Sequence, residues 1–176
     1  MQRKGFDNVI RSLPALLEQG LVVEYALIGI GNEQIYLQEL AEELNVAEHV
    51  HFLGHVSYED LPRWYHACDL FAMPNRDIDG DSEGFGLVFL EAAASGKPAV
   101  AGKVGGTGSA VVDGETGLLV DGENVAEIAK ILRLLLSDPE LSERMGHAAR
   151  QRVLANFIHK RRVNQLYNLA MNRRLM

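Results

Sequence analysis

The sequence contains little of what several classes of protein require. Cys68 is its only cysteine, which excludes an internal disulfide and indicates a reducing compartment. No apolar run approaches the roughly 20 residues that span a bilayer, and Met-Gln-Arg-Lys-Gly at the start leads into no apolar signal core. Positive charge is also scarce, because 17 basic residues accompany 24 acidic ones and leave a net charge of −7. This balance argues against a nucleic-acid-binding protein, which needs concentrated positive charge.

The remaining composition is that of an ordinary globular protein. Apolar residues make up 47% of the 176 positions and charged residues 23%. A chain of this length forms one domain and can bury a sizeable core. We therefore expect a cytoplasmic enzyme domain.

Helical and strand patterns alternate along the whole chain. Asp7 is predicted to cap the first helix, which ends at Gly20. Ser57 is predicted to cap the third helix, and Gly96 followed by Pro98 should stop the fourth. The predicted strands are 22–30, 49–53, 69–73, 99–101 and 117–120, and the other predicted helices are 33–44, 125–136, 139–155 and 159–176. Such alternation predicts an α/β fold in which a parallel sheet carries helices on both faces.

In folds of this kind, ligands bind at the carboxyl ends of the strands. One loop at that edge has the most residues suited to binding a ligand. It follows strand 69–73 and ends in Glu83-Gly84-Phe85-Gly86-Leu87, where a helical pattern begins. The first N–H groups of a helix have no partner inside it and suit phosphate or sugar oxygens, and glycines let a ligand approach the backbone. Glu91 follows Glu83 by eight residues, about two turns. A carboxylate at each end of an anion site suits a nucleotide-sugar.

Three other glycine-containing or acidic motifs partly match known sites. The turn Gly29-Ile-Gly31 resembles a dinucleotide fingerprint, but Gln34 occupies the third glycine position, so a tight strand-to-helix turn is favoured. The segment 77–81 resembles the start of a calcium loop, but its glycine is fourth instead of sixth and Val88 occupies the twelfth position. The loop 105–108 could approach a ligand or be a structural turn, and both readings stay open.

Metal and covalent chemistry have weak signals. His49, His51 and His55 have no carboxylate or thiol at ligand spacing, so no metal site is expected. Cys68 precedes a buried strand and has no evident catalytic partner. Glu83 and Glu91 could be the acid and base of a glycosidase, but their place at a glycine-rich helix start favours ligand binding.

A family resemblance rests on segments in a fixed order. They are RKGFDNVIRSLPAL, YALIGIGNE, VHFLGHVSYEDLPRWYHACDLFAMP, EGFGLVFLEAAASGKPAVAG, GGTGSAVVDGETGLLVDG and AEIAKILRLLLSDPELSERMGHAAR. Together they cover nearly the whole chain and resemble the nucleotide-binding C-terminal domain of the retaining GT-B glycosyltransferases of the group 1 family. The resemblance implies a Rossmann-like parallel sheet that forms one half of a GT-B fold.

The resemblance also implies roles for individual residues. Glu83 is the catalytic carboxylate and contacts the donor sugar, the backbone around Gly84, Phe85, Gly86 and Leu87 holds sugar and diphosphate oxygens, Glu91 binds the ribose, and Lys4 neutralises the diphosphate. The substrate is a nucleotide-diphosphate sugar linked to GDP or UDP, and no separate cofactor or metal is implied. The segment PNRDIDGDSEGFGLVFLEA is similar to bacterial mannosyl- and glucosyltransferases of lipid or envelope glycans, which makes GDP-mannose a hypothesis.

Two parts of the family pattern are absent from this sequence. One is the N-terminal acceptor-binding domain, and the other is a strand ending in Gly-Arg that should precede Lys4. We expect a gap between strands 22–30 and 69–73, a donor-binding domain at 1–156 truncated at its N-terminus, and a C-terminal helix at 157–176. That helix carries Lys160, Arg161, Arg162, Arg173 and Arg174, which form a solvated face, or contact a partner domain or the inner face of a membrane. The isolated chain is expected to be inactive, and a non-catalytic nucleotide-binding or scaffolding module, an epimerase or a phosphorylase stays open as an alternative.

Overall fold

The computed structural model describes residues 2–158, which alternate between strands and helices. The strands are β1 (Tyr25–Ile28), β2 (Val50–Gly54), β3 (Phe71–Met73), β4 (Ala99–Gly102) and β5 (Gly117–Val120). The α-helices are α1 (Phe6–Leu17), α2 (Gln34–Glu43), α3 (Leu61–Ala67), α4 (Leu87–Ala94), α5 (Thr107–Ala110), α6 (Val125–Ser137) and α7 (Pro139–Asn156), and short 3-10 helices cover Gln2–Lys4 and Ala47–His49. The predicted basic helix from residue 159 lies outside the described residues. Within 2–158, no helix is both long and apolar enough to cross a bilayer.

All strand pairs are parallel, as predicted, but they form two separate sheets. One sheet has the order β1-β2, with Leu27 opposite Phe52, and the other has the order β3-β4-β5, with Val100 opposite Leu118. Within the described residues, β1 therefore pairs only with β2, and β3 pairs only with β4. The two strands thus belong to different sheets, which agrees with the predicted separation between them.

The first described residues bridge the carboxyl ends of the two sheets. The backbone N–H of Gln2 donates to Glu33 Oε1 in the segment after β1, at 2.9 Å. The carbonyl oxygen of Arg3 accepts from the N–H of Arg76 in the loop after β3, at 2.8 Å. Residues 2 and 3 thus fix the loops of both sheets relative to each other.

Two apolar clusters account for helices on both faces. Helix α1 buries Val9, Ile10, Leu13 and Leu16, each at most 2% exposed, because these positions recur at helical spacing and face α2, α6 and the sheets. Each such side chain contributes about 1.5–3 kcal/mol on burial. The second cluster comprises Met73, Phe89, Ala99, Ala101, Ala110 and Val111, beneath α4 and α5.

The first helix begins differently from the prediction. Gly5, with φ of 72°, is its N-cap, and Asp7 lies buried in the first turn instead of capping it. A Cβ on Gly5 would lie 2.1 Å from the carbonyl oxygen of Pro74, so only glycine permits this approach. The Asp7 carboxylate is thereby directed towards Arg76, with Oδ2 2.8 Å from Nη2.

Three other boundaries also differ from the prediction. Strand β1 spans 25–28 instead of 22–30, because the ladder with β2 ends there and Val22 and Ile30 remain 91% and 81% exposed. The third helix begins at Leu61, because Ser57 closes a turn by accepting from the N–H of Asp60. Helix α4 begins at Leu87, after both glycines of its loop. The predicted stop at Gly96 is confirmed, since Gly96 has φ of 76° directly after the helix.

Candidate functional site

The loop that follows β3 and the glycine loop that follows β4 are packed backbone to backbone. The N–H of Gly106 donates to the carbonyl oxygen of Glu83 at 2.9 Å. A Cβ on Gly105 would lie 2.1 Å from that oxygen, and one on Gly106 would lie 1.8 Å from the carbonyl oxygen of Gly84. The glycines of the second loop thus serve close packing, and they support the segment that carries Glu83.

A buried asparagine, Asn75, connects the same two loops by hydrogen bonds. Asn75 is fully buried, and its Oδ1 accepts from the N–H of Gly102 at 3.0 Å. Its Nδ2 donates to Thr107 Oγ1 at 3.0 Å and to the carbonyl oxygen of Val104 at 3.2 Å. Both ends of the amide are used, so Asn75 holds the floor of the site in one arrangement.

Helix α4 starts with an open, uncapped turn. Its N-cap is Gly86, with φ of 77°, and no side chain within residues 2–158 caps its first N–H groups. A Cβ on Gly84 would meet nothing within 4 Å, and Leu87 is 67% exposed. The positive end of the helix dipole therefore faces accessible space, which favours an anion.

Phe85 is held from the other side by the end of α7. Its ring centroid lies 6.1 Å from that of Phe157, whose ring carries the Arg152 guanidinium at 4.9 Å. Arg152 also donates to the carbonyl oxygens of Ser109 and Ala110, at 2.8 and 2.9 Å, where α5 ends. Helix α7 thus supports both glycine-containing loops.

Glu83, which precedes the first turn of α4, forms an ion pair with a cation that the sequence did not indicate as its partner. Arg3 Nη1 donates to Glu83 Oε2 at 2.7 Å, and Arg3 Nε lies 3.3 Å from Asp81 Oδ2. Lys4 Nζ lies instead 6.0 Å from the centroid of the Phe6 ring. The Arg-Lys-Gly run before α1 was the available signal, and of its two cations the structure brings Arg3 to Glu83.

Glu91, on the second turn of α4, also has a partner that the sequence did not indicate. The hydroxyl of Tyr65 on α3 donates to Glu91 Oε2 at 2.9 Å. Burial, and then the adjacent Glu91 carboxylate, raise the pKa of Tyr65 well above its ordinary value. Glu83 thus precedes the open helix start and Glu91 lies within the helix, and each is held by a residue from another element.

The acidic part of the loop is a tight hairpin. Ile78 and Asp81 exchange backbone hydrogen bonds of 3.1 and 2.9 Å, and Asp79 and Gly80 between them both have positive φ, at 53° and 85°. This is the pattern of a type I′ turn, which Asp-Gly favours. The carboxylate of Asp77 accepts from the N–H of Gly80 at 2.8 Å and stabilises the turn.

His51, in β2, and His49, in the 3-10 helix before it, lie away from this site. His51 Nε2 lies 2.6 Å from Glu24 Oε2, beside the pair β1-β2, and this hydrogen bond lowers the pKa of Glu24. His49 Nδ1 lies 3.6 Å from the same carboxylate. Over residues 2–158, no group of three or more histidine, cysteine or acidic side chains is arranged to hold a metal ion.

Comparison with known proteins identifies the family. The model of the family "Glycosyl transferases group 1" matches residues 1–152. The chain belongs to this family. It is 41% identical over 174 residues to a GDP-mannose-dependent alpha-(1-6)-phosphatidylinositol monomannoside mannosyltransferase of Mycolicibacterium smegmatis, covering 98% of this chain and 46% of that protein. The corresponding protein of Mycobacterium tuberculosis H37Rv is 38% identical over 157 residues, covering 88% of this chain and 41% of the relative.

Solved structures of glycosyltransferases show the same fold. Anabaena HepE in complex with UDP gives a TM-score of 0.84 at 28% identity, covering 98% of this chain and 46% of that one. The C-terminal domain of the group 1 protein LpcC from Francisella tularensis gives 0.78 at 25% identity, covering 90% and 82%. The predicted Rossmann-like half of a GT-B fold is confirmed. The group 1 chain spans about half the length of the curated relatives it matches.

Proposed function

We propose that this group 1 chain is the donor-binding half of a glycosyltransferase that moves a sugar from a nucleotide-diphosphate sugar to an acceptor with retention of configuration. One observation carries the proposal. The uncapped start of α4 opens at the carboxyl edge of the parallel strands, with Glu83 before it and Glu91 on its second turn. In the proposed site, N–H donors for phosphate oxygens lie between two carboxylate acceptors for sugar hydroxyls.

The proposed roles are those that the family resemblance implies, and that arrangement is compatible with them. The diphosphate lies at the N–H groups of residues 84–87, and Gly84 leaves room for its approach. Glu83 accepts from hydroxyls of the donor sugar and is the catalytic carboxylate, while Glu91 accepts from the ribose. Lys4, in the 3-10 helix beside Arg3, adds positive charge to the departing diphosphate. Fixed dipoles and a cation at a developing negative charge lower the barrier to transfer.

GDP-mannose is the first donor to test. The relatives at 41% and 38% identity are named as GDP-mannose-dependent mannosyltransferases. HepE, at 28% identity, has been solved with UDP and with UDP-glucose, so a UDP-linked donor is the second candidate.

Calorimetric titration of the chain with GDP, UDP, ADP, GDP-mannose and UDP-glucose tests the donor site. We expect one nucleotide to bind, its sugar conjugate to bind more tightly, and Glu83→Gln to remove that extra affinity. Glu39→Gln, an exposed glutamate on α2, is the matched control and should change nothing. Binding of the sugar conjugate that is unaffected by Glu83→Gln would contradict the assignment of Glu83.

A second candidate is a non-catalytic nucleotide-binding module that pairs with a separate acceptor-domain chain. One edge each of β1 and β3 has no partner strand among residues 2–158, and this favours the second candidate, because a free strand edge offers backbone groups to an added strand. Nucleotide binding without transfer by the chain, alone or mixed with any acceptor-domain partner, would support this candidate. Transfer to acceptor by the chain alone would exclude it.

We also propose peripheral contact with a membrane, at its inner face, because the mannosyltransferase relatives are named for a phosphatidylinositol mannoside acceptor. The basic residues of 159–176 that would make the contact lie outside the described residues. Co-sedimentation with anionic and with neutral vesicles tests it, and equal recovery with both would contradict it.

A further inference from the structure

Tyr65 is mounted rigidly beside the carboxylate that we assign to the ribose. Its ring packs on Phe71 at a centroid distance of 5.9 Å, and Phe71 packs edge-on against Phe89 at 5.5 Å. Phe89 is 1% exposed and belongs to α4, two residues before Glu91. The aromatic chain therefore fixes the position of the Tyr65 hydroxyl relative to the helix that carries Glu91.

The direction of the Tyr65–Glu91 hydrogen bond follows from chemistry. A carboxylate only accepts, so the tyrosine hydroxyl donates its proton to Oε2. Because burial and Glu91 both raise the pKa of Tyr65, this donor keeps its proton through the neutral range. Among the described residues the structure shows no other hydrogen-bond partner for this carboxylate, so Oε1 remains available to a ligand.

An exposed glutamate without such a partner samples many rotamers. Ordering a side chain of this kind during binding weakens the complex, whereas a side chain that is already ordered binds without that loss. Glu91 is exposed, yet one of its oxygens is fixed by a half-buried phenol. The acceptor for a ribose hydroxyl is thus set in place before a ligand arrives.

We propose that Tyr65 is a positioning residue that holds Glu91 in the orientation that binds the ribose hydroxyls, and so sets the preference of the site for ribonucleotides. The inference rests on the proposed donor site and adds to it a determinant of specificity. Tyr65 acts through Glu91 and touches no ligand itself. Its effect should therefore appear only with ligands that have ribose hydroxyls.

The test compares Tyr65→Phe with wild type by calorimetry. Each nucleoside diphosphate of guanine, uracil and adenine is titrated beside its 2′,3′-dideoxy analogue. Phenylalanine keeps the ring and its packing on Phe71 and removes only the hydroxyl. We expect the affinity for the ribonucleotide to fall by about three- to tenfold, in line with losing one ordered acceptor, and that for the dideoxy analogue by less than about twofold. Tyr58→Phe, at a tyrosine that is 91% exposed, is the matched control and should leave both affinities unchanged.

A double mutant separates positioning from a general structural effect. If Tyr65 acts through Glu91, Tyr65→Phe should add little to the loss caused by Glu91→Ala. An unchanged ribose preference in Tyr65→Phe, equal losses with both ligands, or additive losses in the double mutant would overturn the role of Tyr65 and leave the donor site standing. Absence of nucleotide binding by wild type would overturn the donor site and this role together.

Discussion

Arg3 and Glu83 form an ion pair that spans two segments far apart in the sequence. Arg3 Nη1 lies 2.7 Å from Glu83 Oε2, and their side chains are only 18% and 17% exposed. The backbone of Arg3 is itself held by Arg76, in the loop that leads to Glu83. The carboxylate assigned to the donor sugar is therefore oriented from the first turn of the chain.

Arg3→Gln should weaken the binding of a nucleotide-sugar more than that of the free nucleotide. Loss of the guanidinium releases Glu83, which we assign to the sugar, while the diphosphate site at the start of α4 stays intact. We expect about a three- to tenfold loss for the sugar conjugate and less than about a twofold loss for the nucleotide, measured by calorimetry. Arg63→Gln, at a pair on α3 whose arginine is 83% exposed, is the control. Equal losses for both ligands would show that Arg3 serves the loop as a whole.

Three glycines of the site should respond differently to alanine. Gly106→Ala should lower the free energy of unfolding by about 1–3 kcal/mol, because its Cβ would overlap the carbonyl oxygen of Gly84. Gly108→Ala meets open space on α5 and should be neutral or stabilising by up to about 1 kcal/mol.

Gly84→Ala also meets open space, so it should fold normally and lose nucleotide affinity. Urea unfolding and calorimetry measure the two effects, and full nucleotide affinity in Gly84→Ala would argue against a ligand at this position.

Asp7 and Arg76 form a buried pair whose disruption should be costly. Both side chains are less than 10% exposed, with Oδ2 and Nη2 2.8 Å apart. Arg76→Met leaves the Asp7 carboxylate buried without its cation, so we expect about 3–5 kcal/mol of destabilisation by urea unfolding. Combining it with Asp7→Leu should recover much of that loss, because neither charge then remains buried. A double mutant no more stable than Arg76→Met would show that the pair is not the source of the effect.

The sequence predicted the architecture well because its signals are local. The apolar spacing of α1 and the stop at Gly96 each depend on neighbouring residues, and the structure has both. The parallel pairing followed from the alternation of strands and helices. The exact ends of elements were less predictable, since the caps expected at Asp7 and Ser57 and the bounds of β1 were wrong.

The partners of the site residues were not predictable in this way. Arg3 and Glu83 are 80 positions apart, and Tyr65 and Glu91 are 26 apart, so only the folded chain brings each pair together. Asp7 illustrates the same limit, since its local context indicates an N-cap while a long-range contact with Arg76 determines its position. Gly105 and Gly106 show the same limit, because their role in packing depends on the carbonyl oxygens of Glu83 and Gly84, which lie far from them in the sequence.

The raised pKa of Tyr65 predicts a stability that falls in alkali. In the unfolded chain this phenol titrates near its ordinary pKa of 10.0, whereas in the folded chain burial and Glu91 keep it protonated to higher pH. A raised pKa contributes stability that is fully present below the unfolded value and is lost as pH rises above it. Above about pH 10 the unfolded state therefore binds fewer protons than the folded state, and the free energy of unfolding declines.

Tyr65→Phe should make that decline less steep. The slope of the free energy of unfolding against pH, measured by urea titrations between about pH 9 and 11, should change by the equivalent of up to about one bound proton. Tyr25, whose pKa is also raised by burial, should retain its own part of the slope in this variant. If Tyr65→Phe and wild type decline in parallel, the Tyr65 hydroxyl is not held by Glu91 in solution, and the ordering of Glu91 that we propose loses its physical basis.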